Sequence, residues 1–126
     1  MSPNVKSQSI LVIEDDPDVL SVIVRHLNHH GYNVMVAADG MEGLKKLEEG
    51  GYDLVITDIV MPYVSGVGIV SKVKSSYAEI PVIAITGYGK EPETAAIESK
   101  ADLVLSKPVR MTSLLGHIQK LLEDRK

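Results

Sequence analysis

The sequence predicts a doubly wound α/β domain of (βα)5 type, and three observations lead there. Five short apolar runs recur along the 126 residues, stretches with helical spacing lie between them, and the two kinds of segment alternate strictly. Parallel neighbours require a long crossover connection, whereas antiparallel ones do not, so strict alternation implies a parallel sheet with helices on both faces.

Each element has its own local justification. The first run, residues 10–13, ends in Glu14 and Asp15. Asp16 is a good N-cap and Pro17 suits the first helical position, because its missing N–H costs nothing there. Val19, Leu20, Ile23, Val24 and Leu27 then recur at helical spacing, and Gly31 supplies a stop. The second run covers 34–38 and is followed by a helical stretch over 40–49. The third run, 54–56, ends in Thr57 and Asp58, with a helix expected over 66–75. The fourth, 82–85, ends in Thr86, and a weaker helical stretch covers 92–99. The fifth, 103–105, ends in Ser106 and Lys107, before a final helix built on Leu114, Leu115, Ile118, Leu121 and Leu122. Four of the five runs are rich in Val and Ile, which favour strands.

Bulk properties bound the function. A chain with 44% apolar and 24% charged residues is an ordinary globule with one core. A net charge of −4 gives no electrostatic footprint for nucleic acid or anionic membrane, so direct contact with either is not expected. The absence of cysteine excludes disulfides, thiolate metal sites and a cysteine nucleophile, and fits a cytoplasmic location. The first nine residues are polar and unlike a signal peptide, and no apolar run approaches the ~18 residues of a membrane span. The expected division is a disordered tail over 1–8, one domain over 9–123 and a charged end over 124–126.

Chemistry is expected beyond the carboxyl ends of the strands, where open parallel sheets bind ligands. Glu14, Asp15, Asp58, Thr86, Ser106 and Lys107 all fall there. Like charges ~4 Å apart repel by about 4 kcal/mol at an effective dielectric near 20, so three gathered carboxylates need a cation. Oxygen ligands suit Mg²⁺, which takes one or two carboxylates and a phosphate oxygen. Lys107 adds positive charge and Thr86 a hydroxyl donor. This is the equipment of phosphoryl transfer: a nucleophile, a metal and fixed donors for the charged oxygens.

These residues resemble the receiver family of two-component response regulators over nearly the whole chain. Four motifs carry the resemblance: Glu14-Asp15; Asp58-Ile59-Val60-Met61-Pro62 with Gly66; Thr86-Gly87; and Lys107-Pro108. The resemblance implies a flavodoxin-like three-layer sandwich with strand order 2-1-3-4-5. Asp58 is the expected phosphoacceptor, both from the family motif and because its strand is central between the acidic pair and Lys107. The family further implies Mg²⁺, with Mn²⁺ able to substitute, on Asp15, Asp58 and the Val60 carbonyl, with Glu14 acting through water. Lys107 would pair with Asp58 and then the phosphate, Thr86 would bond a phosphoryl oxygen, and the N–H groups of Val60 and Gly87 would complete the cradle. The Lys107-Pro108 bond is expected to be cis. The implied partners are a sensor histidine kinase or a histidine phosphotransfer protein, with a downstream output domain or protein of no specified class.

This sequence departs from the family pattern in three places. Val104 stands where an aromatic ring is usual, three residues before the lysine, which leaves Tyr88 as the candidate moving aromatic. Ser65 stands where Asp usually precedes the loop glycine, read as a local turn difference. Lys100 replaces the glycine common after the fourth helix. Asp16 is explained by capping alone, and His26 with His30, one turn apart, read as the border of a partner surface rather than a metal site. Two rival functions make different demands on these residues. A phosphohydrolase with an aspartate nucleophile normally carries a second Asp where this chain has Val60, and a silent interaction module would not need the full set Glu14, Asp15, Asp58, Thr86 and Lys107.

Overall fold

The computed structural model describes residues 7–61, 64–87 and 100–124. In chain order they form β1 (Ser9–Ile13), α1 (Pro17–His29), β2 (Asn33–Ala37), α2 (Gly40–Glu49), β3 (Leu54–Asp58), α3 (Gly66–Ser76), β4 (Val82–Thr86), β5 (Leu103–Ser106) and α4 (Met111–Asp124). The helical stretch expected over 92–99 lies outside the described residues. All strand pairs are parallel and the sheet order is β2-β1-β3-β4-β5, the expected doubly wound topology. Three strands run past their apolar residues, because Thr57, Asp58, Thr86 and Ser106 still sit in the ladder. At the other end Asn33 donates its N–H to the Gln8 carbonyl, so ordered pairing begins just before β1.

The period of two along each strand sorts side chains onto two faces. Leu11, Ile13, Val55, Val82 and Ala84 pack with Ile69, Val70 and Val73 of α3 and Leu47 of α2. Ile10, Val12, Ile56, Ile83 and Ile85 pack with Ile23 and Leu27 of α1 and Leu114 and Ile118 of α4. Each such buried Val, Leu or Ile side chain contributes roughly 1.5–3 kcal/mol. The central strands β3 and β4 are buried at every residue. Their carboxyl ends therefore deliver Asp58 and Thr86 to the rim on a rigid base.

Capping fixes where helices leave that rim. Asp16 Oδ1 accepts the N–H groups of Asp18 at 2.9 Å and Val19 at 3.4 Å, and α1 stops at His30 before Gly31 at φ +89°. Asp39 caps α2 by accepting the Glu42 N–H at 2.8 Å. Ser65 caps α3, its hydroxyl accepting the Val67 N–H at 3.2 Å. The departure at position 65 is thus an exchange of one good N-cap for another.

Candidate functional site

Four charged side chains meet at the carboxyl edge of the sheet. Asp58, the last residue of β3, is 5% exposed; its Oδ1 accepts the Ile59 N–H at 2.9 Å and its Oδ2 accepts Lys107 Nζ at 3.0 Å. Lys107 follows β5 and reaches across the end of β4, its backbone N–H donating to the Thr86 carbonyl at 3.0 Å. The Lys107-Pro108 peptide is cis, as expected. Glu14 follows β1 and is 2% exposed. Its Oε2 accepts the Asp16 N–H at 3.0 Å, while its buried Oε1 has no hydrogen-bond partner and lies 3.6 Å from Lys107 Nζ. Asp15 is exposed beside it.

Carboxylate oxygens of Glu14, Asp15 and Asp58 lie within 4.8 Å of one another, the only such group of potential ligands among the described residues. Burial raises the Glu14 carboxyl from 4.5 to about 7, helped by the charge of Asp58 and opposed by the Asp16 N–H and Lys107. Burial also works against the Lys107 ammonium, but the hydrogen bond and charge of Asp58, with Glu14, outweigh it and hold that pKa above its ordinary value. One ammonium thus pairs with two of three clustered carboxylates. An orphaned buried oxygen among clustered acids is what a hard divalent cation would satisfy, and the donor set is all oxygen, so the residues fit Mg²⁺.

Thr86 is 2% exposed. Its hydroxyl lies 3.2 Å from Ser106 Oγ and 3.4 Å from the carbonyls of Leu105 and Gly87, so it faces β5. Val104 is half-buried and packs against the core layer shared with α2 and α3. Gly87 is half-buried and Val60 is 54% exposed. Tyr88 lies outside the described residues. Sequence reasoning put Ser106 at the rim without a role. No sequence signal marks that role, because only the strand register stands Ser106 opposite Thr86.

The start of α3 lies tight against the end of β3. Gly66 donates its N–H to the Ile59 carbonyl at 2.7 Å, and a Cβ at Gly66 would collide with the Asp58 carbonyl oxygen and, at 2.6 Å, with Ile59 Cα. Beside Lys107 a largely apolar cleft of about 330 Å³ opens between α1 and the start of α4, lined by Val19, Val22, Pro108 and Met111 among others. On α1, His26 Nδ1 lies 2.9 Å from the Val22 carbonyl and His30 Nδ1 2.9 Å from the His26 carbonyl. No described helix is long and apolar enough to cross a membrane.

Comparison with known proteins agrees with this geometry. Residues 10–119 match the response regulator receiver domain family. The transcriptional regulatory protein PrrA of Mycobacterium tuberculosis is 32% identical over 126 residues, covering 99% of this chain and 54% of PrrA, so the chain spans about half the length of that relative. A receiver domain from Clostridium thermocellum superposes with a TM-score of 0.86 at 32% identity, covering 94% of this chain and 96% of that one. The response regulator TrrA of Thermotoga maritima, solved with Mg²⁺ and BeF, superposes with a TM-score of 0.80 at 30% identity over 90% of this chain and 98% of TrrA. The buried parallel sheet, the acidic rim and these matches lead to one conclusion: the chain belongs to the response regulator receiver domain family of two-component systems.

Proposed function

We propose that residues 9–123 form a receiver unit that takes a phosphoryl group onto Asp58 from a phosphohistidine on a sensor histidine kinase or a histidine phosphotransfer protein. The observation that carries this reading is the position of Asp58: nearly buried, held by the Ile59 N–H and Lys107, and within 4.8 Å of two further acids. An Asp58 oxygen attacks phosphorus, the P–N bond breaks, and the imidazole leaves as a neutral ring once its other nitrogen carries a proton. Mg²⁺, or Mn²⁺ in its place, would be held by Asp15, Asp58 and the Val60 carbonyl with Glu14 acting through water, and it supplies charge neutralisation for the acids and the incoming phosphoryl oxygens.

The remaining residues have separable tasks. Lys107 keeps Asp58 oriented and then follows the new charge on the phosphoryl group. The N–H groups of Val60 and Gly87 and the Thr86 hydroxyl receive phosphoryl oxygens. Because Thr86 begins turned toward β5, its reorientation would couple phosphorylation to the surface beyond β4, with Tyr88 as the aromatic that moves or gates and Val104 as a fixed packing residue. The protein would catalyse only its own phosphorylation and dephosphorylation, and a cytoplasmic location goes with this reading.

The test is intact mass after incubation with Mg²⁺ and acetyl phosphate. The parent is expected to gain one phosphoryl group, and Asp58→Asn or EDTA to abolish the gain. Undiminished labelling of Asp58→Asn would overturn the assignment.

A further inference from the structure

Thr86 and Ser106 are register partners on the two last strands of the sheet, and both side chains lie on the face that carries Ala84 and Val104. The Thr86 hydroxyl has one proton and three acceptors near it, of which Ser106 Oγ, at 3.2 Å, is nearest. On the flank of Thr86 this chain has the small Val104 in place of an aromatic ring, half-buried in the core layer below. The only side-chain hydroxyl that β5 offers to Thr86 is therefore that of Ser106. Ser106 also precedes Lys107, whose N–H donates to the Thr86 carbonyl, so the last residue of β5 and the one after it hold both ends of the threonine.

We propose that Ser106 is a positioning residue that latches Thr86 in its resting orientation, so that the Thr86–Ser106 hydrogen bond sets how readily the site accepts a phosphoryl group. This deepens the phosphoacceptor reading and rests on it. When Thr86 donates its proton to a phosphoryl oxygen it must leave Ser106, and the cost of that departure lowers the affinity of the site for the bound group. Ser106 is exposed, so its own hydroxyl returns to water and the cost falls on Thr86 alone. The latch is local. It acts through a single proton and leaves Asp58, Lys107 and the acidic pair in place.

Beryllofluoride with Mg²⁺ is the probe, because it measures acceptance of a phosphoryl-shaped group without a chemical step. Ser106→Ala is expected to tighten its binding about threefold, a typical share of one neutral hydrogen bond when weaker acceptors remain. Ser106→Thr, which keeps the hydroxyl, is expected to bind like the parent. In a Thr86→Ala background Ser106→Ala is expected to change nothing, since the proton it competes for is gone. Unchanged or weakened binding in Ser106→Ala overturns the latch, as does equal tightening in both backgrounds. Asp58→Asn separates the two levels: if the parent binds no beryllofluoride, or Asp58→Asn binds it as well as the parent does, the phosphoacceptor reading falls and takes the latch with it. If parent and Asp58→Asn differ as expected while Ser106→Ala is silent, the latch alone falls.

Discussion

The two ends of the sheet handle carboxylates in opposite ways. At the amino ends of the strands, Asp53 accepts the Ser9 N–H at 2.8 Å and donates its own N–H to the Ser9 carbonyl at 2.7 Å. Asp102 repeats the device on Val82, accepting at 2.7 Å and donating at 3.0 Å, and adds an ion pair with Lys74 at 2.6 Å. Each acid stands one residue before its strand and clasps the first residue of the neighbouring strand. At the carboxyl ends Glu14, Asp15 and Asp58 face one another, Lys107 serves two of them, and one buried oxygen has no hydrogen bond. The same functional group fastens the fold at one rim and strains it at the other. The difference lies in the partner supplied: a backbone N–H needing an acceptor, or a second negative charge.

The largest expected break in this comparison is at Glu14. Its carboxyl titrates near 4.5 when unfolded and at about 7 in the fold, so between those values the native state holds the extra proton. Stability of the metal-free protein therefore falls as pH rises through that window, by roughly 3 kcal/mol from this group, and the loss is complete above it. Urea unfolding in EDTA at pH 5 and pH 8 checks this: Glu14→Gln should remove that share of the pH dependence, and Mg²⁺ should restore stability to the parent at pH 8. Identical slopes in parent and variant would mean that Glu14 titrates ordinarily.

Removing an acid from the opposite rim should do the reverse. Asp102→Ala strands the N–H of fully buried Val82 and unpairs Lys74, and is expected to destabilise by about 2 kcal/mol at neutral pH. Asp53→Ala loses the equivalent bond to Ser9, which is only half-buried, and about 1 kcal/mol is expected by the same measurement. Stabilisation by either substitution would dissolve the contrast between the rims. Neither should alter Mg²⁺ affinity, since both lie a strand length from the acidic cluster.

The sequence made the layered fold legible because buried parallel strands are unbroken apolar runs, and caps such as Asp16 announce themselves beside a proline. Its reading of the acidic rim followed from strand ends: residues 14, 15, 58 and 107 fall there by position alone, and the fold brings them together. The clasps stayed hidden. Asp53 and Asp102 reach partners 44 and 20 residues away, a relation that only register creates. Ser106 is hidden for the same reason, as a short polar residue whose role depends on what stands opposite. The burial of Glu14 against the exposure of Asp15 was equally invisible, because neighbours at a strand end leave the sheet in different directions.

Gly66 carries a consequence for inheritance. With no room for a Cβ against the Asp58 carbonyl oxygen and Ile59 Cα, the first turn of α3 is pressed directly onto the end of β3. Descendants of this chain are free to exchange Ser65 for another cap, or to alter the outer face of α3. Adding a single methyl group at position 66 would push helix and acceptor strand apart and turn the Asp58 carboxylate with them. Part of what must be handed down for this rim to keep its shape is thus an empty space, and a lineage can lose it without touching any charged residue.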